Sequence, residues 1–313
     1  MPYSLEDRLV VGIASSALFD LDEANEVFLR EGEEAYRNYQ EEHLNDPLGK
    51  GVAFSFIKRL LSLNDLAVEG DPLVEVILLS RNDPDTGLRV MKTIEHYELG
   101  MTRAIFMQGK SPYRYIPALN ISLFLSGNSN DVTEALALGM PAGLVLPSAI
   151  VDDEDDPDLR ISFDFDGVIV DDAAERVNVA GTLHDFHEHE RRNVMTTHNP
   201  GPLRALLSEV KRIQRIEEEK KRTEPDYRNR VHVSVVTARN APSHERVIQT
   251  LKNWGLMVND AFFLGGIEKA KVLGVLRPHI FFDDQPVHLK PASTVVPSVH
   301  IPFGIINENT TAE

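Results

Sequence analysis

ISFDFDGV, Ile161–Val168, starts as an apolar, β-favouring run and breaks abruptly into carboxylates and a glycine. Three further runs in the second half of the chain end in the same manner. VSVV runs into Thr237, AFFL into a Gly-Gly pair with Lys269 just beyond, and IFF into Asp283 and Asp284. Short apolar runs bounded by turn residues and alternating with amphipathic segments predict buried parallel strands in an α/β layer fold. The segment GPLRALLSEVKRIQRIEEEKKR, Gly201–Arg222, has apolar residues at three- and four-residue spacing and a charged far end, which predicts a helix between two of those strands.

The first half of the chain repeats this pattern. RVMKTIEHYELGMTRAIFMQG (Arg89–Gly109) aligns without gaps on RVIQTLKNWGLMVNDAFFLGG (Arg246–Gly266) at an offset of 157 residues, with 7 of 21 positions identical. The same offset pairs VEVILLS (Val74–Ser80) with VHVSVVT (Val231–Thr237), and LFLSGN (Leu123–Asn128) with IFFDDQ (Ile280–Gln285). LFDLD (Leu18–Asp22) answers SFDFD (Ser162–Asp166) at an offset of 144, which implies 13 extra residues in the second half. Four blocks in one order predict two diverged copies of a single unit. The run VVGIASSALF, followed by VEVILL, AIFM and LFL, supplies the strands expected of the first copy. DDEDDPD, Asp152–Asp158, reads as the linker, because like charges repel and Pro157 breaks any helix.

Composition narrows the function. The 313 residues carry 49 acidic and 32 basic side chains, a net charge of −17, with 26% charged and 42% hydrophobic residues. That is the balance of a globular protein of about two domains. The negative charge disfavours long nucleic acid as a partner, although a local pocket can still take a small anion. No stretch approaches the ~18 uncharged apolar residues of a membrane span. Glu6 and Asp7 stand where an export signal carries lysine or arginine, so none is expected. The absence of cysteine removes thiol nucleophiles and cysteine-ligated zinc and fits the cytosol.

Ligands of open parallel sheets gather at the carboxyl ends of the strands. The polar residues expected there are Asp164, Asp166, Thr237, Asp283 and Asp284, with Lys269 nearby. Asp164 and Asp166 stand at i and i+2, on one side of an extended chain. One can be an ionised nucleophile while the other handles protons. Asp283 can join Asp164 in an all-oxygen site suited to Mg²⁺. Thr237 and Lys269 offer a hydroxyl and a point charge to a phosphoryl group, and Gly167 and Gly266 allow close backbone approach.

FDFDGV, VVTAR, the lysine after FFLGG, and FFDDQ resemble the four motifs of the haloacid dehalogenase superfamily of phosphohydrolases. ALFDLDEANEVF, GVAFSF, EHYELG, GKSPYRY, HEHERR, GPL, VTARNAPSHERV, WGL, RPHIFFDDQ and HIPFG run in the order seen in the cytosolic 5′-nucleotidase I family. One departure is TTHNPGPL, where that family tends to carry a Lys-Pro-Leu element. The resemblance implies two Rossmann-like, haloacid dehalogenase-like units from an internal duplication. Residues 1–151 form a degenerate half, 152–159 the acidic linker, and 160–313 a catalytic half with a helical cap-type insertion over about 172–230. It implies Mg²⁺-dependent hydrolysis of nucleoside 5′-monophosphates, with AMP and deoxynucleotides the usual substrates. In that scheme Asp164 attacks phosphorus, Asp166 exchanges protons, and Thr237, Ala238, Gly167 and Lys269 (or Lys271) hold the phosphoryl oxygens. Asp164, Asp283, Asp284 and the carbonyl of Asp166 would hold the metal, and Ser111, Tyr113 and Tyr115 are candidates for the substrate pocket. A phosphatase for another small ester such as a sugar phosphate, and a non-enzymatic nucleotide-binding regulator, are the alternatives. A cytoplasmic protein with no membrane partner is expected, and a homo-oligomer is compatible with the reading.

The first half keeps Asp20, Asp22 and Ser80, and Lys110 follows Gly109, but Ser126 and Gly127 replace the two terminal aspartates. This copy is expected not to hydrolyse. QGKSP (Gln108–Pro112) lacks the first glycine of a P-loop, having Ala104 there. The histidines of HDFHEHE (His184, His187, His189) do not have metal-ligand spacing and read as an exposed surface.

Overall fold

The structure is a computed structural model that describes residues 3–308. The chain divides into two compact units, Met1–Val145 and Leu146–Glu313. In the first, the strands β1 (Leu9–Ile13), β2 (Val74–Ser80), β3 (Arg103–Phe106), β4 (Leu123–Ser126) and β5 (Ala142–Val145) pair in parallel in the order β5-β4-β1-β2-β3. In the second, β6 (Leu159–Phe163), β7 (Val231–Thr237), β8 (Asp260–Phe263), β9 (Ile280–Asp283) and β10 (Ser298–His300) pair in parallel in the order β10-β9-β6-β7-β8. Both orders are the same permutation. The central strand β1 is apolar and buried on both faces, through Leu9, Val10, Val11 and Ile13, whereas β6 buries Leu159, Ile161 and Phe163 on one face and carries Arg160 and the buried Ser162 on the other.

The first strand is shorter than the run VVGIASSALF suggests. Backbone pairing ends at Ile13, a turn of helix follows at Ser15–Leu18, and Phe19–Asp20 pairs with Gly49–Lys50 in a two-residue antiparallel ribbon. This corrects the expected pairing of LFDLD with SFDFD. The amide of Ala14 donates to Leu125 O at 2.8 Å, just as that of Asp164 donates to Phe282 O at 2.7 Å. The residue leaving the central strand is therefore Ala14 in one unit and Asp164 in the other, an offset of 150. Asp20 and Asp22 are not at a sheet strand's end: Asp20 is exposed and Asp22 is exposed in the first turn of a helix. Apolar run length alone had suggested the wrong register.

Residues 172–230, expected to form a cap-type insertion, divide into two parts. Each unit carries a pair of helices after its first strand, Asp22–Glu31 with Glu33–Glu42, and Ala173–Ala180 with Leu183–Arg192, so the feature is not peculiar to the second half. The helix Arg204–Thr223 packs against β7 through Leu206, Leu207, Val210 and Ile213, and belongs to the sheet's covering layer. The acidic run is anchored at its far end, where Asp156 pairs with Arg160 at 2.6 Å and Asp158 with Arg228 at 2.6 Å.

Gly201 marks where the chain returns from the helix pair to the core. Its amide donates to Ile169 O at 2.9 Å, and a Cβ on it would lie 2.3 Å from Val170 O. Backbone cannot yield as a flexible side chain can, so Gly201→Ala should lower the unfolding free energy by about 1–3 kcal/mol in urea denaturation. Gly274→Ala, in a helix where the new methyl would meet only Val295 at 3.8 Å, should leave stability unchanged or raise it.

Candidate active site

β6 and β9 are neighbours, and the rings of Phe163 and Phe282 stack between them with centroids 5.3 Å apart. This packing sets the exits of the two strands side by side, so Asp164 and Asp283 emerge together. Each carboxylate is fixed by its own turn: Asp164 Oδ1 accepts from the Phe165 amide at 2.7 Å, and Asp283 Oδ1 from the Gln285 amide at 2.9 Å. Their free oxygens meet one cation. Lys269, at the start of the helix Lys269–Leu276, places Nζ 2.8 Å from Asp164 Oδ2 and 2.7 Å from Asp283 Oδ2. Lys271 is exposed, so Lys269 is the lysine that reaches these carboxylates.

Asp284 completes the cluster. It is buried, Oδ1 has no hydrogen-bond partner, and carboxylate oxygens of Asp164, Asp283 and Asp284 all lie within 4.8 Å of one another. Gly167, at φ +69°, brings its backbone against Asp284, and a Cβ there would stand 2.4 Å from Asp284 Oδ2. Thr237, at the end of β7, is buried, whereas Ala238 is exposed. Gly266 adopts φ +90° in the turn after β8.

Three carboxylates share one ammonium. Burial raises Asp164 to about 6 despite Lys269, with Asp283 and Asp166 adding repulsion. Burial together with the Asp164 and Asp283 charges pushes Asp284 up to about 9. Burial also raises Asp283, against the pull of Lys269. For Lys269, burial opposes the charge, but Asp164 and Asp283 outweigh it and hold the ammonium above the usual lysine range. The excess negative charge, the unpartnered Asp284 oxygen and the all-oxygen donor set fit a small divalent cation.

Sequence reasoning missed the neighbouring network. Arg239 is buried, and its Nε and Nη2 donate to Asp166 Oδ2 and Oδ1, both at 2.7 Å. Its Nη1 pairs with Glu190, whose other oxygen lies 2.7 Å from Arg246 Nη1. His198 Nε2 stands 3.4 Å from Glu190 and 3.2 Å from Arg239 Nη2. The HDFHEHE segment is thus not simply an exposed surface: Phe186 and Glu190, four residues apart, are the buried face of its helix. That spacing was the available signal. His184 is exposed, and His187 Nε2 lies 3.1 Å from Asn240 Oδ1.

The first unit has none of these carboxylates at its strand ends. Ser16 Oγ lies 3.4 Å from Ser126 Oγ, and the Gly127 amide donates to Ser16 Oγ. Ser80 is buried and Lys110 exposed. The residues expected at the substrate pocket, Ser111, Tyr113 and Tyr115, stand in different surroundings. Tyr113 is 1% exposed and packs on Phe124 with ring centroids 4.8 Å apart within the core. Ser111 interacts with Glu134, and the Arg114 guanidinium lies 5.1 Å over the Tyr115 ring.

A sequence model of the family described as 5′-nucleotidase matches residues 1–308. The chain belongs to the 5′-nucleotidase family. It is 30% identical over 298 residues to human cytosolic 5′-nucleotidase 1B, an alignment covering 93% of this chain and 48% of the relative. The chain thus spans about half the length of that curated relative. No solved structure matches. Among the described residues, no helix is long and apolar enough to cross a membrane.

Burial would raise Glu190, but the His198 hydrogen bond and the Arg239 charge bring it down to about 2. Because the folded value lies below the unfolded one, this stabilisation is complete above about pH 4.5 and is lost as pH falls toward 2. The shift corresponds to roughly 3 kcal/mol. Glu190→Gln should therefore cost about that much at pH 7, and the gap to the parent protein should narrow at pH 3 in chemical denaturation.

Proposed function

We propose that the chain is a Mg²⁺-dependent 5′-nucleotidase that converts nucleoside 5′-monophosphates, AMP and deoxynucleotides among them, to nucleoside and phosphate. The observation that carries the reading is the buried cluster of Asp164, Asp283, Asp284 and Lys269 at adjoining strand ends in a member of this family. A cytoplasmic location and the absence of long nucleic acid as partner belong to the same reading, supported by the relative's name and the net charge.

In this mechanism an oxygen of Asp164 attacks phosphorus, the bond from phosphorus to the 5′ oxygen breaks, and Asp166, which enters this step protonated, gives that oxygen its proton and is left as the carboxylate. The product is nucleoside and an aspartyl phosphate, which divides one hard step into two. Water then attacks phosphorus, Asp166 takes its proton, and phosphate leaves with Asp164 regenerated. Lys269 holds a phosphoryl oxygen while tethering Asp164, and the Thr237 hydroxyl, the Ala238 region and the Gly167 backbone line the same strand ends. Asp164, Asp283, Asp284 and the Asp166 carbonyl would hold Mg²⁺. When bound, the ion neutralises charge that otherwise repels a dianionic ester from a carboxylate nucleophile.

We also read the two units as products of an internal duplication. The shared strand order supports this, as do matched contacts. The Thr93 hydroxyl receives the Leu48 amide and the Thr250 hydroxyl the His198 amide, while Arg89 meets Gln40 and Arg246 meets Glu190. The first unit, with Ala14, Ser16, Ser126 and Gly127 at its strand ends, is then the degenerate copy.

A phosphate-release panel over AMP, dAMP, IMP, UMP and sugar phosphates, with and without Mg²⁺, tests the assignment. Nucleotides should be preferred and release should require the metal; equal or better turnover of sugar phosphates overturns the nucleotidase reading. Asp164→Asn should lower kcat by about three orders of magnitude or more. Gly167→Ala, by crowding Asp284, should raise the Mg²⁺ concentration for half-maximal activity by about tenfold.

A further inference from the structure

The proton-transfer role proposed for Asp166 leaves a structural question, because nothing in the backbone holds that side chain in place. Asp166 is extended, with φ −72° and ψ 140°, and is followed by Gly167 in a left-handed turn. What does hold it is a two-point contact from Arg239, with Nε and Nη2 each 2.7 Å from a different carboxylate oxygen. Such a fork defines the plane as well as the position of a carboxylate, which a single lysine contact would not.

Arg239 is fixed in turn. Its third guanidinium nitrogen pairs with Glu190, and the guanidinium carbon lies 5.3 Å from the ring centroids of both Phe165 and Phe186. Glu190, with no exposed side-chain surface, is held at its other oxygen by Arg246, which is itself tied to Thr196 O at 2.9 Å. The network thus contains two carboxylates and two guanidinium groups out of water. Buried ion pairs of this kind seldom stabilise more than apolar groups of the same volume would, so stability alone does not account for it. Its geometry ends on one atom group of the site, the Asp166 carboxylate.

We propose that Arg239 is a positioning residue for Asp166, and that Glu190 positions Arg239: when the Asp166 carboxyl carries its proton, one oxygen gives up its guanidinium contact and presents the proton to the leaving 5′ oxygen, while the other oxygen keeps its contact with Arg239 and fixes the plane of the group. The inference rests on the role assigned to Asp166 above. Because Glu190 and Phe186 both lie on the helix Leu183–Arg192, the orientation of Asp166 depends on that helix.

The test compares a nucleoside 5′-monophosphate with its analogue in which sulfur replaces the bridging 5′ oxygen. A thiolate departs without needing a proton, so loss of general-acid positioning should fall on the oxygen ester alone. General-acid catalysis contributes about 10²–10⁴-fold. Arg239→Ala should accordingly lower kcat on the oxygen ester by about 10²-fold or more with KM changed less than about threefold, and on the sulfur ester by less than about tenfold. Arg239→Lys should recover part of the selective loss. Glu190→Gln should give a smaller loss of the same selectivity; glutamine is accommodated at the matching place in the first unit, where Gln40 meets Arg89. Equal losses on both esters, a loss carried by KM, or no loss overturns the proposal. If thermal melts show Arg239→Ala unfolded, the other two variants decide, and absence of selective loss in both overturns it. If Asp166→Asn itself lacks the oxygen-ester selectivity, or the parent protein releases no phosphate from the nucleotide, the role given to Asp166 fails and this inference falls with it. If Asp166→Asn is selective and the Arg239 and Glu190 variants are not, only this inference fails.

Discussion

Three carboxylates removed from water around a single ammonium set the terms for the second unit. Lys269 can satisfy one oxygen each of Asp164 and Asp283, and backbone amides take the other oxygen of each. Among the described residues Asp284 Oδ1 is left without a hydrogen-bond partner, and burial first, then the Asp164 and Asp283 charges, raise its pKa against the pull of Lys269. The charge of such an arrangement is relieved either by a proton, as the raised pKa of Asp284 indicates, or by a ligand that supplies positive charge. The apolar strands, their stacked phenylalanines and the left-handed glycine all act to hold that arrangement at close range.

The strand order explains why these residues come from four separate stretches of sequence. In a parallel sheet all carboxyl ends lie on one edge, and β6 lies between β7 and β9. Asp164, Thr237 and Asp283 therefore end adjoining strands, and Lys269 enters from the helix that leads into β9. A second set of buried charges, Asp166, Arg239, Glu190 and Arg246, has no net charge and is close to fully paired. The two networks meet within three residues of chain, Asp164 to Asp166. One has surplus charge and suits a ligand; the other is self-contained and suits fixing a side chain.

Much of this was legible in the sequence. Runs of Ile and Phe broken by aspartate marked β6 and β9, and the 157-residue offset marked the second, third and fourth strands of each unit. The register of the first strand was not legible, because LFDLD has the look of SFDFD while Leu9–Ile13 alone makes the central ladder. The burial of Tyr113 was not legible either, since a tyrosine in a turn-rich segment gives no local sign that it will be drawn into the core. Glu190 was hidden for a related reason. In a helix as polar as Leu183–Arg192, one buried carboxylate cannot be told from its solvated neighbours until its arginines, 49 and 56 residues further along, are in place.

Residue type and spacing along the chain are enough to specify the α/β class, the repeating order of strands, the family motifs and the composition of the carboxylate cluster. It took the folded chain to establish that Lys269 and not Lys271 meets the carboxylates, that Ala14 leaves the first unit's central strand where Asp164 leaves the second's, and that Arg239 grips Asp166. Those outcomes depend on which side chains are brought within about 3 Å of each other from distant segments. Burial then turns such meetings into large differences in charge stability, and local pattern carries no record of burial.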